Sequence, residues 1–131
     1  MCPQIRQLPA DVVLFIEEQI DSVPHLEALL LLWEGAAKHW TVDETAARLY
    51  VTSETAASIL EDLVKRHLVR RDLDDGRPCY RYDDGWDQNG EQMGRIAATY
   101  QRHLRQVAAL IHSKVPTAVR DFARAFRIKK E

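Results

Sequence analysis

The stretch TVDETAARLYVTSETAASILEDLVKRHLVRRDLDDGRPCYRY, from Thr41 to Tyr82, decides the fold. It opens on Thr41-Val42-Asp43-Glu44, a capping box in which the Thr hydroxyl and the Glu carboxylate each satisfy a backbone donor left unbonded at a helix start. A short helix follows to about Tyr50, burying Ala46, Leu49 and Tyr50. Val51-Thr52 makes a turn, and Thr52 or Ser53 caps the next helix. That helix runs to about His67 with Ala56, Ile59, Leu60 and Leu63 spaced to face a core. Lys65, Arg66 and His67 complement the negative end of its dipole. Leu68 to Leu73 reads as a strand, and Asp74-Asp75-Gly76-Arg77 as a turn in which Gly76 can take positive φ. Cys79 to Tyr82 is the returning strand.

Working outward, Pro9-Ala10-Asp11 opens a helix over 9–21, with Val12, Phe15, Ile16 and Ile20 as its apolar stripe. Ser22 caps a second helix with Pro24 in its first turn, where the missing N–H costs nothing. Leu26, Leu29, Leu30, Leu32 and Trp33 nearly encircle that helix, and Gly35 ends it. On the other side, Asp83 to Asn89 is a polar, glycine-punctuated loop in which Trp86 folds back on the core. Met93, Ala97, Tyr100, Leu104, Val107 and Ile111 then recur at spacings of four and three, the seam of one long helix from Met93 to Lys114. A seam of this length needs a partner helix, and a second copy of the chain is the expected source. Pro116 starts a last short helix with Val119, Phe122, Ala123 and Phe126 on one stripe. Arg120, Arg124, Arg127, Lys129 and Lys130 fill the rest and form a basic tail that could meet a protein partner.

The expected fold is mainly α with a small β wing: a winged helix-turn-helix core at 23–83, an N-terminal helix at 9–21 and a C-terminal helical extension at 90–131. At 131 residues, 46% of them apolar, the chain is long enough for one such domain over 1–131. Apolar runs such as Leu29 to Trp33 are far too short to span a membrane, so a cytoplasmic protein is expected. Cys2 and Cys79 stand in no ligand or disulfide pattern, which argues for free thiols and no metal.

The formal net charge of −2 offers no general field for polyanions, but its distribution is uneven. Met1 to Leu60 carries three basic and nine acidic residues, whereas Arg95 to Glu131 carries nine basic and two acidic. Either the basic C-terminal helices pack on the acidic N-terminal ones or they form an exposed partner surface.

Thr45 to Thr52 resembles the first helix and turn of winged helix-turn-helix regulators of the MarR and PadR kind. Leu60 to Arg71 is similar to the end of their recognition helix and first wing strand, with His67 where those families usually place Gly. Asp74-Asp75-Gly76-Arg77 resembles their wing tip. Arg95 to Val115 is similar in placement to their dimerisation helix. The resemblance implies a dimeric, bacterial DNA-binding regulator of transcription, without a cofactor. Residue by residue, it puts Thr52, Ser53, Thr55 and Ser58 in the groove, Arg77 at the wing tip, and Lys65, Arg66, Arg70 and Arg81 near phosphates. The seam residues Met93, Ala97, Tyr100, Leu104, Val107 and Ile111 are the expected homodimer interface.

The sequence departs from that pattern in one respect. Base edges are read best by Arg, Lys, Asn or Gln, and none of these lies between Thr52 and Val64. Glu54, Glu61 and Asp62 add negative charge to the same helix. The alternative is therefore a winged helix used for protein interaction without reading DNA. A third reading is a ligand sensor with a cavity under Trp33, Trp40 and Tyr100. The five histidines are scattered, and no hydrolase, P-loop or dinucleotide motif occurs, so an enzyme is not expected.

Overall fold

The computed structural model describes residues 8–87 and 89–113. Their elements are α1 (Ala10–Gln19), α2 (Val23–Glu34), α3 (Val42–Leu49), α4 (Ser53–Lys65), β1 (Val69–Asp74), β2 (Arg77–Tyr82), a 3-10 turn (Asp84–Trp86), α5 (Glu91–Arg102) and α6 (Leu104–His112). The mainly α architecture with a small β wing is present. The helix expected from Pro116, and the basic residues Arg120, Arg124, Arg127, Lys129 and Lys130 with it, lie outside the described residues. Among the described residues no helix is long and apolar enough to cross a membrane.

Local chemistry sets most boundaries. Glu44 N–H donates to Thr41 Oγ1 at 3.0 Å and Thr41 N–H to Glu44 Oε1 at 3.1 Å, completing the capping box of α3. Ser22 accepts from His25 N–H at the start of α2. At α4 the cap is Thr52, which accepts from Thr55 N–H at 3.1 Å, so Ser53 is the first helical residue instead. The end of α4 is a Schellman motif. Leu68 N–H bonds Leu63 O and His67 N–H bonds Val64 O, while His67 takes φ 63°. An imidazole therefore occupies a left-handed position that glycine fills at lower strain.

The hairpin pairs Val69 with Tyr82 and Asp74 with Arg77 at its two ends. Asp75 at φ 55° and Gly76 at φ 77° make the tight turn that matches the strand twist. Trp40 adds what the sequence did not announce. Its N–H and C=O both pair with Tyr80 at 2.7 Å, a one-residue third strand on the edge of β2. A Cβ at Gly35 would stand 3.0 Å from the Trp40 ring, so glycine there makes room for the indole.

The C-terminal helix departs from expectation. His103, at φ −129° and ψ 47°, interrupts the long helix and separates α5 from α6. Met93, Val107 and Ile111 do not lie open for a second copy. They are buried with Val12, Ile16 and Ile20 in one apolar cluster, and α1 packs on both α5 and α6. The partner helix that the seam requires is thus α1 of the same chain. Ala97 and Tyr100 are half-buried, and Leu104 is 53% exposed. Arg95 bonds Asp11 through Nε at 2.8 Å and Nη2 at 2.7 Å, joining a basic C-terminal residue to an acidic N-terminal one.

Two stability measurements follow. Met93→Ala should cost about 2–5 kcal/mol in urea unfolding, because it opens a cavity in the chain's own core. The loss should not depend on protein concentration, whereas a seam between two copies would make it concentration-dependent. His67→Gly should gain up to about 1 kcal/mol by relieving the left-handed strain, partly offset by greater freedom of the unfolded chain.

Candidate nucleic-acid interface

α3 and α4 are joined by a turn that begins at Tyr50, a left-handed C-cap at φ 58°. That conformation turns the phenol outward. Tyr50 is 93% exposed, where the periodicity had placed it inside. The next residues form the open face of α4: Thr52, Ser53, Thr55 and Ser58 are all exposed, with Glu54 among them. Thr52 hydroxyl donates to Thr55 Oγ1 at 2.9 Å, and Ser53 hydroxyl donates to Asp43 Oδ1 of α3 at 2.7 Å. Of these four hydroxyls, Ser58 alone makes no hydrogen bond among the described residues. The surface is polar and uncharged apart from its carboxylates.

The cations expected near phosphates divide into two groups. Lys65, Arg70 and Arg77 are exposed and form no ion pair among the described residues. Although Arg77 is the strand partner of Asp74, its guanidinium makes no ion pair with Asp74 or Asp75 among the described residues. Arg66 is drawn to α1 instead, donating Nη1–H to Glu18 O at 2.8 Å and Nη2–H to both Asp21 oxygens at 3.0 Å. Arg81 Nε lies 3.5 Å from Asp72 Oδ2. Arg66 is engaged because an acid just beyond α1 reaches it first, whereas Arg81 has only this one longer contact and its Nε makes no hydrogen bond among the described residues.

One node escaped sequence reading. Glu61 of α4 accepts from the Tyr80 hydroxyl at 2.6 Å and from Arg71 Nη1 at 3.0 Å, tying the wing to the second half of α4. The Tyr80 bond, then Arg71, hold the Glu61 carboxyl below its usual range. Burial, then Glu61, push the Tyr80 phenol up to about 12. Tyr80 is thereby a buried donor, and its face is closed to base stacking. On the same helix, Asp62 takes the His25 ring at 2.9 Å, and the other His25 nitrogen meets Ser22 Oγ at 2.6 Å. Asp21, His25 and Asp62 bring three ligand atoms within 4.8 Å of one another, the one such group among the described residues. Each of the three side chains already has a protein partner.

The arrangement resembles solved structures. The homodimeric winged helix-turn-helix DNA-binding domain Mb0332 from Mycobacterium bovis, a possible ArsR-family transcriptional regulator, aligns at TM-score 0.54 and 23% identity, over 72% of this chain and 83% of that one. A MepR point mutant from Staphylococcus aureus, bound to an oligodeoxyribonucleotide, aligns at TM-score 0.56 and 14% identity, over 97% and 87%. MepR bound to ethidium bromide aligns at TM-score 0.53 and 17% identity, over 97% and 86%. The fold is a winged helix-turn-helix. No family model and no curated protein matches the sequence. In this winged helix α3 and α4 are the helix-turn-helix, β1 and β2 the wing, and α1, α5 and α6 the flanking helices.

Glu61 gives a pH signature. A carboxyl whose folded pKa is depressed adds stability above its unfolded value, and that stability is lost as pH falls through the folded value. Glu61→Gln should therefore lower the melting temperature at pH 7. The gap to the parent should close as pH drops below about 4, where the unfolded carboxyl titrates. A gap that stays constant from pH 7 to about 3 would remove the wing tie from this account.

Proposed function

We propose that this protein is a cytoplasmic, non-enzymatic transcription regulator that binds duplex DNA as a homodimer. The observation that carries this reading is the open N-terminal half of α4, with Thr52, Ser53, Thr55 and Ser58 all exposed. Exposed Arg77 on the wing tip supports it. The hydroxyls enter a major groove, Arg77 reaches an adjacent groove or phosphate, and Lys65 and Arg70 stand near the backbone. The likeness to a MepR structure holding an oligodeoxyribonucleotide supports the same reading. The face of a second copy is built from what the core leaves outside, Leu104 with the flanks of Ala97 and Tyr100. Because hydroxyls discriminate bases weakly, affinity rests on phosphate contacts and on doubling by dimerisation.

The alternative, a winged helix that meets a protein and not DNA, is favoured by Glu54 in the reading helix and by the absence of Arg, Lys, Asn and Gln from Thr52 to Val64. In that reading the basic residues Arg120 to Lys130 supply the partner contact.

A salt titration decides between them. Affinity for mixed duplex fragments should fall with salt at a slope of about −0.9 per phosphate contact. Arg77→Ala should make that slope shallower by about one per protomer, while Arg66→Ala should lower stability and leave the slope unchanged. Absence of duplex binding at about 50 mM salt rules out the DNA reading and leaves the protein-interaction one.

A further inference from the structure

A cavity of about 400 Å3 lies at the base of the wing, walled by the end of α2, both wing strands and the connection into α5. Trp33 and Ala36, at and just beyond the end of α2, give an apolar side. Arg70 and Arg81 give a cationic side from the two strands. Asp84, Asp87 and Asn89 give an acidic and amide side from the connection into α5. The volume suits a small ligand. Neither Trp40 nor Tyr100, which the sequence had grouped with Trp33, is part of its walls.

Two features of this cavity have no internal explanation. Arg70 and Arg81 are direct cross-strand partners, and like charges set opposite one another destabilise a hairpin. Arg70 has no ion pair among the described residues, and Arg81 has only the 3.5 Å contact with Asp72. In addition, buried Arg81 Nε and the Tyr82 hydroxyl find no hydrogen-bond acceptor among the described residues, although the buried Trp86 indole N–H lies on the phenol oxygen's side. Tyr82 is only 7% exposed, so water is largely kept from it. Native folds seldom leave such donors unmet. The missing partner on this side is an acceptor, best an anion that a guanidinium fork can grip.

The opposite wall asks for the reverse charge. Asp87 is spent on the start of α5, where it accepts from Met93 N–H at 2.7 Å and Gln92 N–H at 3.3 Å. The Asp84 carboxylate makes no hydrogen bond or ion pair among the described residues. Burial first, then the carboxylates of Asp87, Asp84 and Asp83, push the Tyr82 phenol upward, so the hydroxyl stands within the field of the acidic wall and remains a donor.

We infer that the cavity binds a small zwitterion of the α-amino-acid class, its carboxylate on Arg70 and Arg81, its ammonium toward Asp84 and its side chain against Trp33. Such an occupant bridges the wing strands and the lead into α5. The site shares Arg70 with the proposed phosphate contacts but needs neither α4 nor Arg77, so amino-acid binding measured without DNA tests it apart from the DNA reading.

The test is a titration of the full chain with individual L-amino acids lacking an indole, and separately with acetate, ethylamine and inorganic phosphate. It is read by tryptophan fluorescence and by thermal shift. At least one amino acid should saturate at or below about 1 mM and raise the melting temperature by mass action. Arg70→Gln, at an exposed residue without an ion pair, should fold normally and weaken that binding at least about tenfold. Asp84→Asn should weaken the amino acid by a similar factor while leaving any acetate binding unchanged. Three outcomes overturn the inference. These are no saturable response to any amino acid up to about 10 mM, phosphate or acetate binding as tightly as the best amino acid, and full retention of binding in Arg70→Gln.

Discussion

The angle between α4 and the wing depends on one carboxylate. Glu61 holds the Tyr80 hydroxyl and the Arg71 guanidinium at once, and Tyr80 is in turn paired through its backbone to Trp40. A line of contacts therefore runs from α4 through β2 to the segment before α3, closing the helix-turn-helix on itself. Asp62, the next residue, reaches the opposite way to His25 of α2, and Arg66 reaches Asp21 beyond α1. Charges along the second half of α4 serve as braces while its first half remains open. The acids that seemed to count against a polyanionic partner are largely spent inside the fold, and Glu54 is the one that stays on the open half.

This division explains how the sequence could be read and where reading stopped. The capping box at Thr41, the Thr52 turn and the Asp75-Gly76 hairpin were legible because cap and turn chemistry acts within a few residues. The left-handed site at His67 was legible as the place where glycine is usual. The roles of the arginines were not, because they depend on acids far along the chain. Nothing local distinguishes Arg66, which finds Asp21, from Arg70, which finds no acid among the described residues. Trp40 joins the sheet as a single residue, and one residue has no alternation to detect. At His103 neither glycine nor proline marks the break, so the heptad spacing read straight through it. Spacing also said that the seam needed a helix without saying whose.

The filling of that seam from within changes how the electrical asymmetry is understood. Asp11 with Arg95 and Glu27 with Tyr100 are contacts between the acidic and basic ends of one chain. Part of the charge separation thus holds the flanking helices to the core. The remainder on the described C-terminal helices, Arg102 and Arg105, is exposed.

α1 acts as a built-in stopper. Its residues Val12, Ile16 and Ile20 close a groove lined by Met93, Ile96, Val107 and Ile111, whose spacing would suit a helix from any source. A fragment beginning at Val23 would keep the helix-turn-helix and wing but uncover that groove, and would gain an adhesive surface that the intact chain conceals. The first ten-residue helix is thus what keeps the apolar periodicity of the last two a private matter of the protomer.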